Sequence, residues 1–354
     1  MKKIFLSLIL LFSIAVLHFN CISPDTAQKK GADGYVAATS ILSSVSGYYR
    51  SIEMDGQALY SLSSRLSDRS TTNPYITVID RIDKMTGETQ KLKINSLEHM
   101  YCLALDGDYV YLYGGREVYR TFKSGGGSPE KIAEFGNNIN QLKVDGNKMY
   151  ISFNWTPGLF LYNIPDGTMT TLVDSLVGWL DVDEKYLFWR TWQSENTAIR
   201  TIWQKSRDTG TPVARVTGEL GDVRIIGDYI YYWEDNDPGA YNGPDVLKKI
   251  SKLGNEEPVI VISNPEHFTE DDGFVITGDM LYASNFDGEL WGIPLKDPKN
   301  AVLLDKWGSY DDDDFRSWIA TDGNALYWVA GPNVNERISD DDEGALLKTD
   351  FISR

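Results

Sequence analysis

Leu105-Asp106-Gly107-Asp108-Tyr109-Val110-Tyr111 holds an apolar residue, a tight turn, and a second apolar residue beside an aromatic one. The pattern returns as Met54-Asp55-Gly56-Gln57-Ala58-Leu59-Tyr60, Val144-Asp145-Gly146-Asn147-Lys148-Met149-Tyr150 and Val182-Asp183-Glu184-Lys185-Tyr186-Leu187-Phe188. It returns again as Ile225-Ile226-Gly227-Asp228-Tyr229-Ile230-Tyr231, Ile276-Thr277-Gly278-Asp279-Met280-Leu281-Tyr282 and Thr321-Asp322-Gly323-Asn324-Ala325-Leu326-Tyr327. The third residues, 56, 107, 146, 184, 227, 278 and 323, are spaced by 51, 39, 38, 43, 51 and 45 residues. An Asp-Gly turn between alternating apolar residues signals a hairpin. A hairpin repeated at that period predicts a β-propeller.

Each phrase sits inside a larger unit. Four places before the third turn residue stand Ile52, Leu103, Leu142, Leu180, Val223, Phe274 and Ile319; two places before it stand Met54, Leu105, Val144, Val182, Ile225, Ile276 and Thr321. All but Thr321 are apolar, so one side of a first strand is expected to be buried in every unit. A second strand ends in the aromatic. A third follows, as in Val118-Tyr119-Arg120, Leu161-Tyr162-Asn163 or Leu290-Trp291-Gly292, and then a Gly-containing turn and a fourth. The expectation is a seven-bladed β-propeller of four-stranded antiparallel blades over residues 34–354. The seventh unit runs out of chain after Leu346-Leu347-Lys348-Thr349, while residues 35–42 belong to no unit. That N-terminal strand is expected to pair with the last blade and close the ring, removing exposed sheet edges.

The chain has 354 residues, 12% of them aromatic, with 31 glycines, which suits short strands and tight turns. Its net charge is −17, and without residues 1–20, which carry Lys2 and Lys3 and no acid, it is −19. That excludes a nucleic-acid binder with a basic surface and adhesion of the domain to anionic lipid. Residues 1–20 have a signal-peptide pattern, with Lys2 and Lys3 ahead of an apolar run over residues 4–17. Residues 21–33 are polar and are expected to form a tether. There are two cysteines, Cys21 and Cys102. Cys102 is expected to be a small buried apolar residue in a strand.

Leu17-His18-Phe19-Asn20-Cys21 resembles a bacterial lipoprotein lipobox, departing from it at His18 and Asn20. The resemblance implies lipid on Cys21. Ile22 follows, with no Asp there to resemble an inner-membrane retention signal, which implies an outer-membrane location in the cell envelope. The turn-plus-aromatic strand and its following strand are similar to the YWTD-type and TolB-like propellers, over about residues 35–354. The tetrapeptide itself is absent, and Tyr231-Tyr232-Trp233-Glu234 is its nearest copy. The Gly-His and Trp-Asp signature of WD repeats is missing too. This resemblance implies architecture and a binding role, and carries no catalytic residue onto the chain.

In a propeller the first strand of each blade lines a central channel, and loops on one face set function. Three places before the third turn residue, Glu53, Lys143, Asp181 and Arg224 offer two acids and two cations as channel-lining charges. The same face is expected to carry Trp155, Trp179, Trp192, Asp235, Asp237, Tyr241, Asp245 and Trp318 as binding residues, because aromatics give contact area at low entropic cost. Asp235-Asn236-Asp237 resembles the start of a calcium loop but has Ala240 where the loop needs Gly, so calcium is a minor expectation and no cofactor is the main one. The acidic runs 311–314 and 340–342 read as solvated loop tips. His99 and His267 fall in different units, and no Gly-x-Ser-x-Gly elbow or phosphate loop occurs.

These features point to an exported, membrane-anchored binding or scaffold module whose partner is a protein, peptide or glycan, with no nucleic acid. The alternative is a propeller hydrolase of lactonase or glycosidase type working through channel carboxylates, with or without a divalent metal.

Overall fold

The structure, a computed structural model, describes residues 29–30, 36–66, 75–92, 100–192, 199–208, 210–235, 245–254, 256–263, 273–284, 289–306, 319–330 and 343–352. Among them the only helical element is a 3-10 turn, Pro298–Asn300. Everything else regular is antiparallel strand.

Three sheets have four strands each. The first comprises Cys102–Asp106, Tyr109–Gly114, Glu117–Phe122 and Glu130–Glu134. The second comprises Ile139–Asp145, Lys148–Phe153, Thr156–Asn163 and Thr168–Val173. The third comprises Gly273–Thr277, Met280–Ser284, Glu289–Pro294 and Val302–Lys306. Two larger sheets have seven and eight strands, and each contains a long strand that changes partner halfway. Val213–Ile226 pairs through Glu219 with Ile199–Ser206, and from Leu220 with Tyr229–Asp235. Val36–Met54 pairs with Glu343–Ile352 from Val36↔Ile352 to Gly47↔Glu343, then with Ala58–Leu66 from Gly47↔Arg65 to Met54↔Leu59. Of residues 35–42, expected as a separate strand, 36–42 are thus the first part of a longer one. Bulges between Ser46 and Gly47 and between Tyr49 and Ser51 let it redirect.

The repeated phrase is a hairpin for a local reason. Asp55 Oδ1 accepts from the Gln57 and Ala58 amides, both at 2.9 Å. Asp183 and Asp322 cap their turns in the same way, at 2.7–2.8 Å and 2.9–3.0 Å. Gly107 and Gly146 sit at φ 49° and 57°, where a side chain would be strained. In all seven units a residue at the end of the third strand, or just past it, donates its amide to the carbonyl after the third turn residue. Examples are Lys84 to Gln57 at 3.1 Å and Phe351 to Asn324 at 3.1 Å.

That residue also reaches the preceding unit. Lys123 Nζ stands 3.0 Å from Asp55 Oδ2, Lys252 Nζ 2.5 Å from Asp183 Oδ2, and Arg207 pairs with Asp145. Lys84 Nζ stands 3.5 Å from Asp322, joining the first unit to the last. Where the equivalent positions are Ile226 and Leu295, both pack on one apolar cluster. In the third unit that residue is Ile164, which has no charge to offer, and Asp106 of the second unit takes the Gly146 amide, at 3.1 Å.

The core follows the same rule. All seven residues four places before the third turn residue are buried: Ile52, Leu103, Leu142, Leu180, Val223, Phe274 and Ile319. Among the described residues the buried apolar side chains form clusters that each draw on two units consecutive in the chain. One more joins Ala325, Tyr327, Val329 and Leu346 of the last unit to Ile52, Leu59 and Ile82 of the first. Each fully buried side chain of this size stabilises by about 1.5–3 kcal/mol, so the interfaces between units are the main source of stability. Cys102, expected to be buried, is half-buried at the start of its strand, against the cluster of the second and third units.

Candidate binding face and channel charges

Antiparallel order puts the turns after first and third strands at one end of the sheets. The entries to the first strands and the loops between second and third strands lie at the other. Of the candidate binding residues, Trp155, Trp179, Trp192, Asp235 and Asp245 lie at the entry end.

In the third unit the hairpin Lys148–Phe153 to Thr156–Asn163 closes through two residues, Asn154 and Trp155, with Phe153 opposite Thr156. Trp155 is 86% exposed and is the one non-glycine residue among those described with a positive φ, 57°. A bulky side chain in that region is an outlier. The loop is tied down on both sides. The Asn154 amide donates to Asn138 O at 2.8 Å, and the Gly158 amide to Ser175 O at 2.9 Å. Asn140 Nδ2 donates to Val177 O at 3.0 Å, linking this entry to the next.

In the fourth unit Trp192 ends its strand at 37% exposure, with its amide on Leu176 O at 3.2 Å. The Arg200 guanidinium lies 4.6 Å from the indole centre. Gly178 makes this possible, since a Cβ there would stand 2.5 Å from Trp192 Nε1. Trp179 is half-buried against the cluster of the fourth and fifth units, so it packs in a seam and is not an open anchor. Asp235 is half-buried, and its backbone is in register with that of Asp245 across the strand pair. Asp237, Tyr241, Trp318, Cys21 and the runs 311–314 and 340–342 lie outside the described residues.

The four charges expected to line a channel come within electrostatic reach of one another. Lys143 Nζ is 3.5 Å from Asp181 Oδ1, and both side chains keep about a third of their exposure, 33% and 30%. Arg224 reaches Asp222 Oδ2 at 2.9 Å and Phe274 O at 3.3 Å. Glu53 feels Lys143, Asp181 and Arg224. Burial pushes its carboxyl above the ordinary value, Asp181 adds to this, and the two cations oppose it. Burial alone would lower the Lys143 pKa, but Asp181 and Glu53 outweigh it and hold it above the usual lysine value. Tyr113, buried next to Cys102 and in reach of Glu53, is held well above its ordinary value and stays protonated. Among the described residues no three His, Cys, Asp or Glu side chains converge as metal ligands do.

Arg200 and Gly178, which build the Trp192 platform, have no signal in the repeat pattern. The asparagines around Trp155 do, as an uncharged run over residues 136–142 in a chain that is 24% charged.

No protein-family model matches this chain, and no curated protein does. Solved structures do. The WD40 domain of Neurospora crassa Pan2 is similar at TM-score 0.54 and 12% identity, over 88% of this chain and 95% of that one. Kluyveromyces lactis Hsv2 is similar at 0.52 and 10%, over 85% and 98%. WD40 repeats build β-propellers. The fold is a β-propeller. A computationally designed protein, Ika8, is similar at 0.50 and 9%, over 88% and 98%. Identities this low speak for the propeller's architecture and not for a ligand.

Proposed function

We propose that this propeller is an exported binding module with seven four-stranded blades in a closed ring, its entry end offered to a protein, peptide or glycan. Splitting Val36–Met54 and Val213–Ile226 where they change partner leaves seven groups of four strands, one of them extended by the two-residue strand Lys29–Lys30 beside Val36 and Ala37, which supports the blade count. The Lys84–Asp322 pair and the shared core of first and last units support closure. Residues 1–20 act as a signal peptide, Cys21 carries lipid, and residues 21–33 tether residues 34–354 to a bacterial envelope membrane, the outer one. The sequence supports that reading through its charged start, its apolar run and its lipobox-like Cys21. Cys21→Ala is expected to abolish radiolabelled fatty-acid incorporation and release the chain from membranes; continued labelling rules Cys21 out.

The observation that carries the binding role is Trp155, exposed at 86% on a backbone that strains to present it. Strained residues gather at functional sites. A photoreactive residue placed at Trp192 is expected to capture a partner in intact cells producing the chain, and one at Met85, 96% exposed at the turn end, is not. Equal yields at both positions, or none at Trp192, count against a binding role for the entry end.

Glu53 favours the hydrolytic alternative, because a carboxyl held above its ordinary range suits a general acid. Turnover of a lactone or glycoside by the wild type, lost in Glu53→Gln, is the result that supports it.

A further inference from the structure

We infer that the entry end of the third unit is a subsite for neutral sugars, with Trp155 as the stacking platform; this rests on the entry end being the binding surface. Three observations converge there. Trp155 stands 86% exposed at φ 57°, in a hairpin position where Gly or Asn would fit without strain. Burial does not explain its presence, since most of the indole contacts only solvent. The two stretches that meet there carry no charge. Residues 136–142 and 152–160 contain no Asp, Glu, Lys or Arg in a molecule of net charge −17. The exposed polar side chains in them are amides. Asn137, Asn138 and Asn154 are all exposed, and the bond from the Asn154 amide to Asn138 O, 2.8 Å, sets the two stretches beside one another.

That chemistry selects its ligand. A pyranose ring has an apolar C–H face, which stacks on an indole, and a rim of hydroxyls, which both donate and accept. An amide side chain also does both, offering one acceptor and two donors. A carboxylate or ammonium ligand finds no counter-charge on either stretch. A neutral glycan fits both features, whereas a charged peptide uses neither. The tied loop holds the indole ready, which lowers the ordering cost of binding.

The test runs the full chain through native gels containing neutral polysaccharides (β-glucan, xyloglucan, galactomannan, dextran) or acidic ones (polygalacturonate, alginate). At least one neutral polymer is expected to retard the wild type. Trp155→Gly is expected to weaken that retardation tenfold or more while leaving the thermal midpoint equal or higher, and Trp155→Phe to restore part of it. Met85→Ala, at the opposite end, is expected to migrate as the wild type does. Retardation by acidic polymers only, by no polymer, or equally in Trp155→Gly overturns the assignment. A lower midpoint in Trp155→Gly overturns it as well, by making Trp155 structural. If photocapture at Trp192 still succeeds in any of these cases, the binding role of the entry end stands and only its sugar subsite falls.

Discussion

Glu53 and Trp155 occupy positions that cost stability where they stand. A bulky residue in the left-handed region costs about 1–3 kcal/mol, and a half-buried carboxyl whose desolvation outweighs its neighbouring cations is penalised in its charged form. The Glu53 case gives a pH test with a definite sign. Its folded pKa lies above the ordinary 4.5. Between 4.5 and the folded value the native state keeps a proton that the unfolded chain has lost, so stability falls as pH rises through that window. Glu53→Gln removes the slope. In denaturant titrations from pH 4.5 to 8 the variant is expected to gain on the wild type as pH rises; a variant less stable at pH 8 would show Glu53 to be a net stabilising ion-pair partner. The charges themselves were legible in sequence, because they share one place in the repeat. Their environment was not, since burial and the reach of Lys143 depend on how units meet. Trp179 shows the same limit: its position in the repeat put it at the entry end, and only packing revealed that it fills a seam.

At the scale of elements, the hairpin aspartates have two jobs. One carboxylate oxygen holds its own turn while the other meets the next unit. The Asp322 pKa is lowered: burial would raise it, but the amides of Asn324 and Ala325, the Tyr327 hydroxyl and Lys84 outweigh that. The sign is opposite to that of Glu53. Its contribution is present above about pH 3.8 and is lost as pH falls through the folded value. With Lys84 and Asp322 at 12% and 16% exposure, Asp322→Asn is expected to cost about 1–3 kcal/mol at pH 7 and to flatten part of the acid limb. Lys84→Met combined with Asp322→Asn is expected to cost less than the two single changes together in urea titration. Additive costs would mean that the pair does not couple. The turns were readable from Asp-Gly spacing, because an Asx turn is a local structure. The contact across units was not, since it joins residues as far apart as 84 and 322.

For the whole molecule, the repeat disclosed the architecture because every unit buries the same side of its first strand. It did not disclose that Val36–Met54 and Val213–Ile226 run unbroken between groups of strands. A pattern of alternating residues cannot show where a strand changes partner. Residues 36–46 pair with the last strand of the chain, and Leu42 packs against the core shared by first and last units. Removing residues 35–42 is expected to lower the thermal midpoint by several degrees, since it strips a ladder and exposes an edge; an unchanged midpoint would mean that this strand is dispensable.

Amide hydrogen exchange along the full chain reads the ring most directly. A closed seven-bladed ring requires the amides of residues 36–46 that bond to Glu343–Ile352 to be as slow as those of the inner strands Cys102–Asp106 and Ile139–Asp145. Exchange of residues 36–46 at the rate of an unstructured tether, with the inner strands still protected, would show the ring to be open.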